Sequence, residues 1–154
     1  MIVPHRIYLG DKPHLDQNWL HNQIVTNPAV LGLEGDLKVV CSDKYKIQHV
    51  PGELTMTLAD LSFGTRYYVQ LKYGGINDEQ IVSLIDGWGD GRRSAPQYGH
   101  VAVLVAEDIT GSLLLNALRT IGDFIPLIVI ELKAYLFDEG VKFVPNIILR
   151  RVEC

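Results

Sequence analysis

The chain has 154 residues, 47% hydrophobic and 21% charged, which excludes a disordered chain and suits one globular domain able to bury a core. Its 14 Lys and Arg against 18 Asp and Glu give a net charge of −4. That excludes a module gripping nucleic acid through an overall basic surface, and weighs less against a nuclease, whose site needs carboxylates.

No run approaches 18 apolar residues, and the longest patch, Phe124 to Leu132, is broken by Pro126 and Glu131, so no transmembrane span is expected. The start MIVPHRIYLGDK has no basic stretch leading into an apolar run, so no signal peptide is expected. Cys41 and Cys154 form neither a metal motif nor a disulfide framework. A reducing cytoplasm is the expected compartment. There is no internal repeat and no long linker, so residues 1–154 read as a single domain.

In chain order, His14 to Thr26 reads as a helix, with Leu15, Trp19, Leu20 and Ile24 near one face and Pro28 past its end. Leu37 to Cys41 is a short apolar strand. Gly52 to Leu58 alternates: Leu54, Met56 and Leu58 against Glu53, Thr55 and Thr57, a half-buried strand. After the turn Ser62-Phe63-Gly64, Arg66 to Tyr73 is its expected hairpin partner. Asn77-Asp78-Glu79 starts a helix whose apolar positions Ile81, Leu84, Ile85 and Trp88 fall at i, i+3, i+4 and i+7. Gly87 to Tyr98, with Gly87, Gly89, Gly91 and Pro96, reads as a loop. His100 to Ala106 is a strand buried on both faces. Asp108 or Thr110 is expected to cap a helix carrying Leu113, Leu114, Ala117, Leu118 and Ile121. Pro126 to Leu136 and Val141 to Leu149 are strands joined by Asp138-Glu139-Gly140. The order is αβββαβ followed by αββ, an α/β chain with a mixed sheet flanked by helices.

The segment Gly64-Thr65-Arg66-Tyr67-Tyr68-Val69-Gln70-Leu71-Lys72 resembles the central hairpin of small bacterial nuclease-like proteins of the PD-(D/E)xK, restriction-endonuclease-like superfamily. Ile81 to Trp88, Arg92-Arg93, Pro96-Gln97-Tyr98, Val101 to Thr110 (VAVLVAEDIT) and Phe124-Ile125-Pro126-Leu127 are similar to later segments of that family. The resemblance spans residues 15 to 136 and implies an αβββαβ core with an extra helix and a C-terminal hairpin.

Such nucleases need an acid near the end of one strand. They need a second acid on the adjacent strand, followed two residues later by Lys, Gln or Glu. The two acids hold Mg²⁺ through oxygen, the metal helps generate hydroxide, and the third residue orients water or stabilises the transition state. On the resemblance, the two acid positions fall at Thr55 and Gln70, both neutral here, and Lys72 fills the third. Asp60, ten residues before Gln70, offers a variant motif Asp60…Gln70-Leu71-Lys72, and Glu34 and Asp36 lie where some relatives place an extra carboxylate. The bland reading makes Asp60 a turn residue and Glu34 and Asp36 surface acids.

Ile130-Glu131-Leu132-Lys133 spells an ExK on an apolar strand but lies outside the hairpin. It reads as structural, with Glu131 and Lys133 on the exposed face. His5, His14, His21, His49 and His100 lack metal spacing, although His14 and His21 are placed to share a helix face. Gly87 to Gly91 is glycine-rich without the strand-to-helix setting of a phosphate cradle. Arg92, Arg93, Arg66 and Lys72 are candidate contacts to a phosphate backbone. Of Tyr67, Tyr68 and Tyr73, alternation leaves at least one exposed to stack on a base or a partner.

The expectation is a degenerate nuclease-like protein that binds nucleic acid or a protein partner. The resemblance also suggests a homodimer and a phage-defence or mobile-element context. The alternatives are an active Mg²⁺-dependent endonuclease with a variant site, and an interaction or inhibitor protein with no nucleic-acid role, which the acidic pI of about 5.7 mildly favours.

Overall fold

The computed structural model describes residues 4–42 and 53–152. His49, Gly52 and Cys154, named above, lie outside the described residues.

Val101 to Ala106 carries no side chain that gains from facing water, and the fold is organised around it. In chain order the elements are β1 (His5–Ile7), α1 (Gln17–Thr26), β2 (Leu37–Ser42), β3 (Glu53–Asp60), β4 (Thr65–Gly75), α2 (Asp78–Ser94), β5 (Gly99–Asp108), α3 (Leu114–Ile121), β6 (Leu127–Phe137) and β7 (Gly140–Arg151). Short 3-10 turns lie at Leu9–Asp11 and Pro28–Leu31. Among the described residues these make an α/β chain with three helices and one open, mixed sheet of seven strands. β2, β3 and β4 form an antiparallel meander; α2 carries the chain from β4 to β5, and α3 from β5 to β6, both parallel pairings. β7 folds back antiparallel along the whole of β6, and β1 pairs with Ala134 to Leu136 of β6, past the end of β5.

Each face of the sheet has its own core. Leu54, Met56 and Leu58 of β3, Val103 and Val105 of β5 and Ile128 and Ile130 of β6 pack under Leu20 and Ile24 of α1. Ala102 and Leu104 of β5 and Val129 of β6 pack under Ile81, Leu84 and Trp88 of α2 and Leu118 of α3. Val103, Leu104 and Val105 are fully buried, as a strand covered on both faces requires.

The strand expectations hold to within a few residues at each end, and the helix expectations differ more. α1 starts at Gln17, where Asp16 caps it by accepting from the Trp19 N–H (2.9 Å). His14 therefore lies outside the helix while His21 is buried inside it, and the two do not share a face. Asn77 caps α2 as expected, accepting from the Gln80 N–H (2.8 Å). However, α2 runs through the glycines to Ser94 instead of stopping at Trp88. Burial of Trp88 holds this last stretch, Arg92 and Arg93 favour the negative end of the helix dipole, and Asp90 pairs with Arg93 one turn on (2.5 Å). Neither Asp108 nor Thr110 caps α3. β5 continues through Asp108, α3 begins at Leu114, and the Ser112 hydroxyl accepts from the Leu114 N–H (3.1 Å).

Gly87 has a packing reason. A methyl group placed on it would overlap the ring of Tyr68 on β4, so the helix meets the sheet closely here because residue 87 has no side chain. Gly87→Ala should therefore destabilise the protein by about 1–3 kcal/mol, although alanine is favoured over glycine in a helix by about 1 kcal/mol. Urea unfolding checks this. In a Tyr68→Ala background the same change should become neutral or stabilising, and equal costs in both backgrounds would refute the contact.

Candidate functional site

The β3–β4 hairpin places Thr55 opposite Gln70 and Glu53 opposite Lys72. Directly paired residues share a face, and for these four it is the face under α2. Gln70 is only 2% exposed. Its Nε2 donates to the Ser83 hydroxyl of α2 (3.0 Å), and its Oε1 is buried with no hydrogen-bond partner. Lys72, one register further, is half-buried. Thr55, Gln70 and Lys72 are thus brought together.

Asp60 is not brought to them. It lies five residues from Thr55, an odd step, so it points to the α1 face. It is 5% exposed, its Oδ1 accepts from the Ser62 N–H (2.9 Å), and its carbonyl accepts from the Gly64 N–H (2.9 Å). It closes the β3–β4 turn. Its carboxylate also packs on Gly35, where a side chain would overlap it. Glu34, exposed, neighbours Gly35 and so lies on that same side; burial raises the Tyr67 pKa first, with Asp60 and Glu34 adding to the rise and Arg150 opposing it. The variant site of Asp60, Glu34, Gln70 and Lys72 is therefore split across the sheet. Mg²⁺ requires several oxygen ligands, with charged carboxylates among them. The oxygens at the ligand positions are a threonine hydroxyl and a buried amide, and these residues do not fit the ion.

Glu131 is corrected in its surroundings. Far from facing solvent, it is 4% exposed. Its Oε2 accepts from the N–H groups of Ile109 and Thr110 (both 2.8 Å), and its Oε1 lies 3.4 Å from Lys133 Nζ. Burial opposes its ionisation, but these hydrogen bonds, with one from the Thr110 side chain, outweigh it and hold the carboxyl down to about 2. Glu107 performs a similar task on the other face, accepting from the Leu9 and Gly74 N–H groups (2.9 and 3.0 Å). There burial prevails and raises the pKa. Arg6 donates to the Glu107 carbonyl (2.7 Å) and pairs with Asp108 (2.9 Å).

None of the three hairpin tyrosines is exposed. Tyr67 packs on the α1 core, Tyr68 lies on Gly87, and Tyr73 donates to the Leu15 carbonyl (2.8 Å). Among the described residues the two most exposed aromatic rings, Phe63 and Phe124, lie elsewhere, at the sheet end where β4, β5 and β6 begin. A hollow of about 640 Å³ is lined there by Trp88, Arg92, Arg93, Tyr98, His100 and Phe124. The Trp88 indole donates to the His100 carbonyl (3.0 Å), and the His100 ring donates through Nε2 to the Ala95 carbonyl (2.6 Å), so its floor is fixed. Arg92 lies over Trp88 (5.1 Å) and Arg66 over Tyr98 (4.2 Å). A second hollow, of about 480 Å³, shares Phe124 and Pro126 with the first and adds Arg150 and Arg151. Arg66, Arg92 and Arg93 were legible as candidates. Arg150, Arg151 and Phe124 were not; the adjacent arginine pair was the available signal, but only the β6–β7 pairing brings it here.

The chain matches no family model, no curated protein and no solved structure. Among the described residues no helix is long and apolar enough to cross a membrane.

The depressed Glu131 pKa has a consequence for stability. Its folded value, about 2, lies below the ordinary 4.5, so its contribution is fully present above pH 4.5 and is lost as the pH falls toward 2. Glu131→Gln should cost on the order of 3 kcal/mol at pH 7 and progressively less below pH 4.5. Denaturant titrations of both proteins from pH 7 to pH 2.5 test this. A difference that stays constant across that range would refute the role.

Proposed function

We propose that this chain is a nuclease-like protein of PD-(D/E)xK layout that has lost its metal ligands and works by binding nucleic acid. Two features support the layout: the meander of β2 to β4, and the parallel step through α2 to β5. The loss of catalysis rests on the neutral pair Thr55 and Gln70, and on Asp60 facing the other way. The binding reading is carried by one observation. Arg66, Arg92, Arg93, Arg150 and Arg151 converge on one end of a chain whose net charge is −4. Guanidinium groups suit phosphate, since each presents a fork of donors. The exposed Asp90–Arg93 pair competes weakly, because such pairs contribute little in water.

The test is incubation with supercoiled plasmid, single-stranded DNA and RNA in Mg²⁺ or Mn²⁺, with Lys72→Ala alongside. No cutting is expected, together with salt-sensitive retention of nucleic acid that Arg92→Ala/Arg93→Ala weakens. Metal-dependent cutting that Lys72→Ala abolishes would overturn the loss of catalysis. No retention even at low salt would overturn the binding role and leave a protein partner as the reading.

A further inference from the structure

Three neighbouring parallel strands bring an aromatic ring to the same end of the sheet. Phe63 sits in the turn before β4, Tyr98 immediately before β5, and Phe124 three residues before β6. Neighbouring strands are about 4.8 Å apart, so β4 and β6 are separated by roughly 10 Å. Phe63 is 82% and Phe124 83% exposed. A single exposed phenylalanine is ordinary, but Phe124 has a particular setting. It stands where the two hollows meet, with Arg92 and Arg93 lining one and Arg150 and Arg151 the other. Asp90 and Asp123 are the acids beside them, so the arginines prevail.

A double helix would meet these guanidinium groups but not the ring, because its bases have their faces covered by one another. An unpaired base has a free face, and its neighbouring phosphates lie to either side. We infer that this end of the sheet binds single-stranded nucleic acid, with one base stacked on Phe124 and the flanking phosphates held by Arg92–Arg93 and Arg151. Tyr98, braced by Arg66, extends the platform toward Phe63. The inference rests on the nucleic-acid-binding reading above and adds the strandedness, the stacking residue and Arg151.

Fluorescence anisotropy on the full chain tests it, using labelled 15-nucleotide oligo-dT, oligo-U and a 15-base-pair duplex. Both single strands, or one of them, should bind at least tenfold tighter than the duplex. Phe124→Ala should weaken single-strand binding about tenfold and leave duplex binding unchanged, and Phe124→Trp should restore it. The ring is exposed, so these variants keep their fold. Arg151→Ala should weaken both and flatten the salt dependence of single-strand binding by about 0.7 per lost phosphate contact. Duplex binding as tight as single-strand binding, or an inert Phe124→Ala, overturns this inference while the binding role stands. Binding to neither form overturns both.

Discussion

A strand buried on both faces constrains everything around it. β5 cannot be an edge and cannot be left bare, so β4 and β6 must flank it and helices must cover both sides. Parallel neighbours then require crossovers, which α2 and α3 supply. Once β4, β5 and β6 run the same way, the segments that lead into them collect at one end of the sheet. The ring-and-arginine surface is built from those leading segments, with the end of the returning strand β7 completing it.

In open α/β sheets ligands usually sit beyond the carboxyl ends of the strands. Here that end is plugged by the protein's own backbone. Glu107 takes the N–H groups of Leu9 and Gly74, Glu131 takes those of Ile109 and Thr110, and Arg6 ties the N-terminal segment to Asp108. The carboxylates there are engaged in holding loops. The opposite end keeps its guanidinium groups largely toward solvent.

Most strands were legible, because alternation in β3 and unbroken apolarity in β5 follow directly from how many faces each strand buries. The extension of α2 was not, since its three glycines read locally as a loop and only Tyr68, 19 residues earlier, explains why Gly87 favours the helix. The facing of Asp60 was legible in principle: it is an odd number of residues from Thr55, and a strand that persists to residue 60 must turn it away. Glu131 misled because strand alternation says which face a side chain takes and nothing about what covers that face; the 109–110 loop does so from 22 residues away. The arginine end was invisible for the same reason, being assembled from segments between residues 63 and 151.

The burial of Gln70 beneath Ser83 also bears on which substitutions this seam tolerates. A glutamate there, with threonine still at 55, would set a charge in a buried helix–sheet contact with only the half-buried Lys72 to offset it, and the first effect would be a less stable protein. An aspartate at 55 alone would gain nothing to share. Acids at 55 and 70 would each be tolerated only with the other and a cation in place, so the amide seam holds the neutral pair against single substitutions.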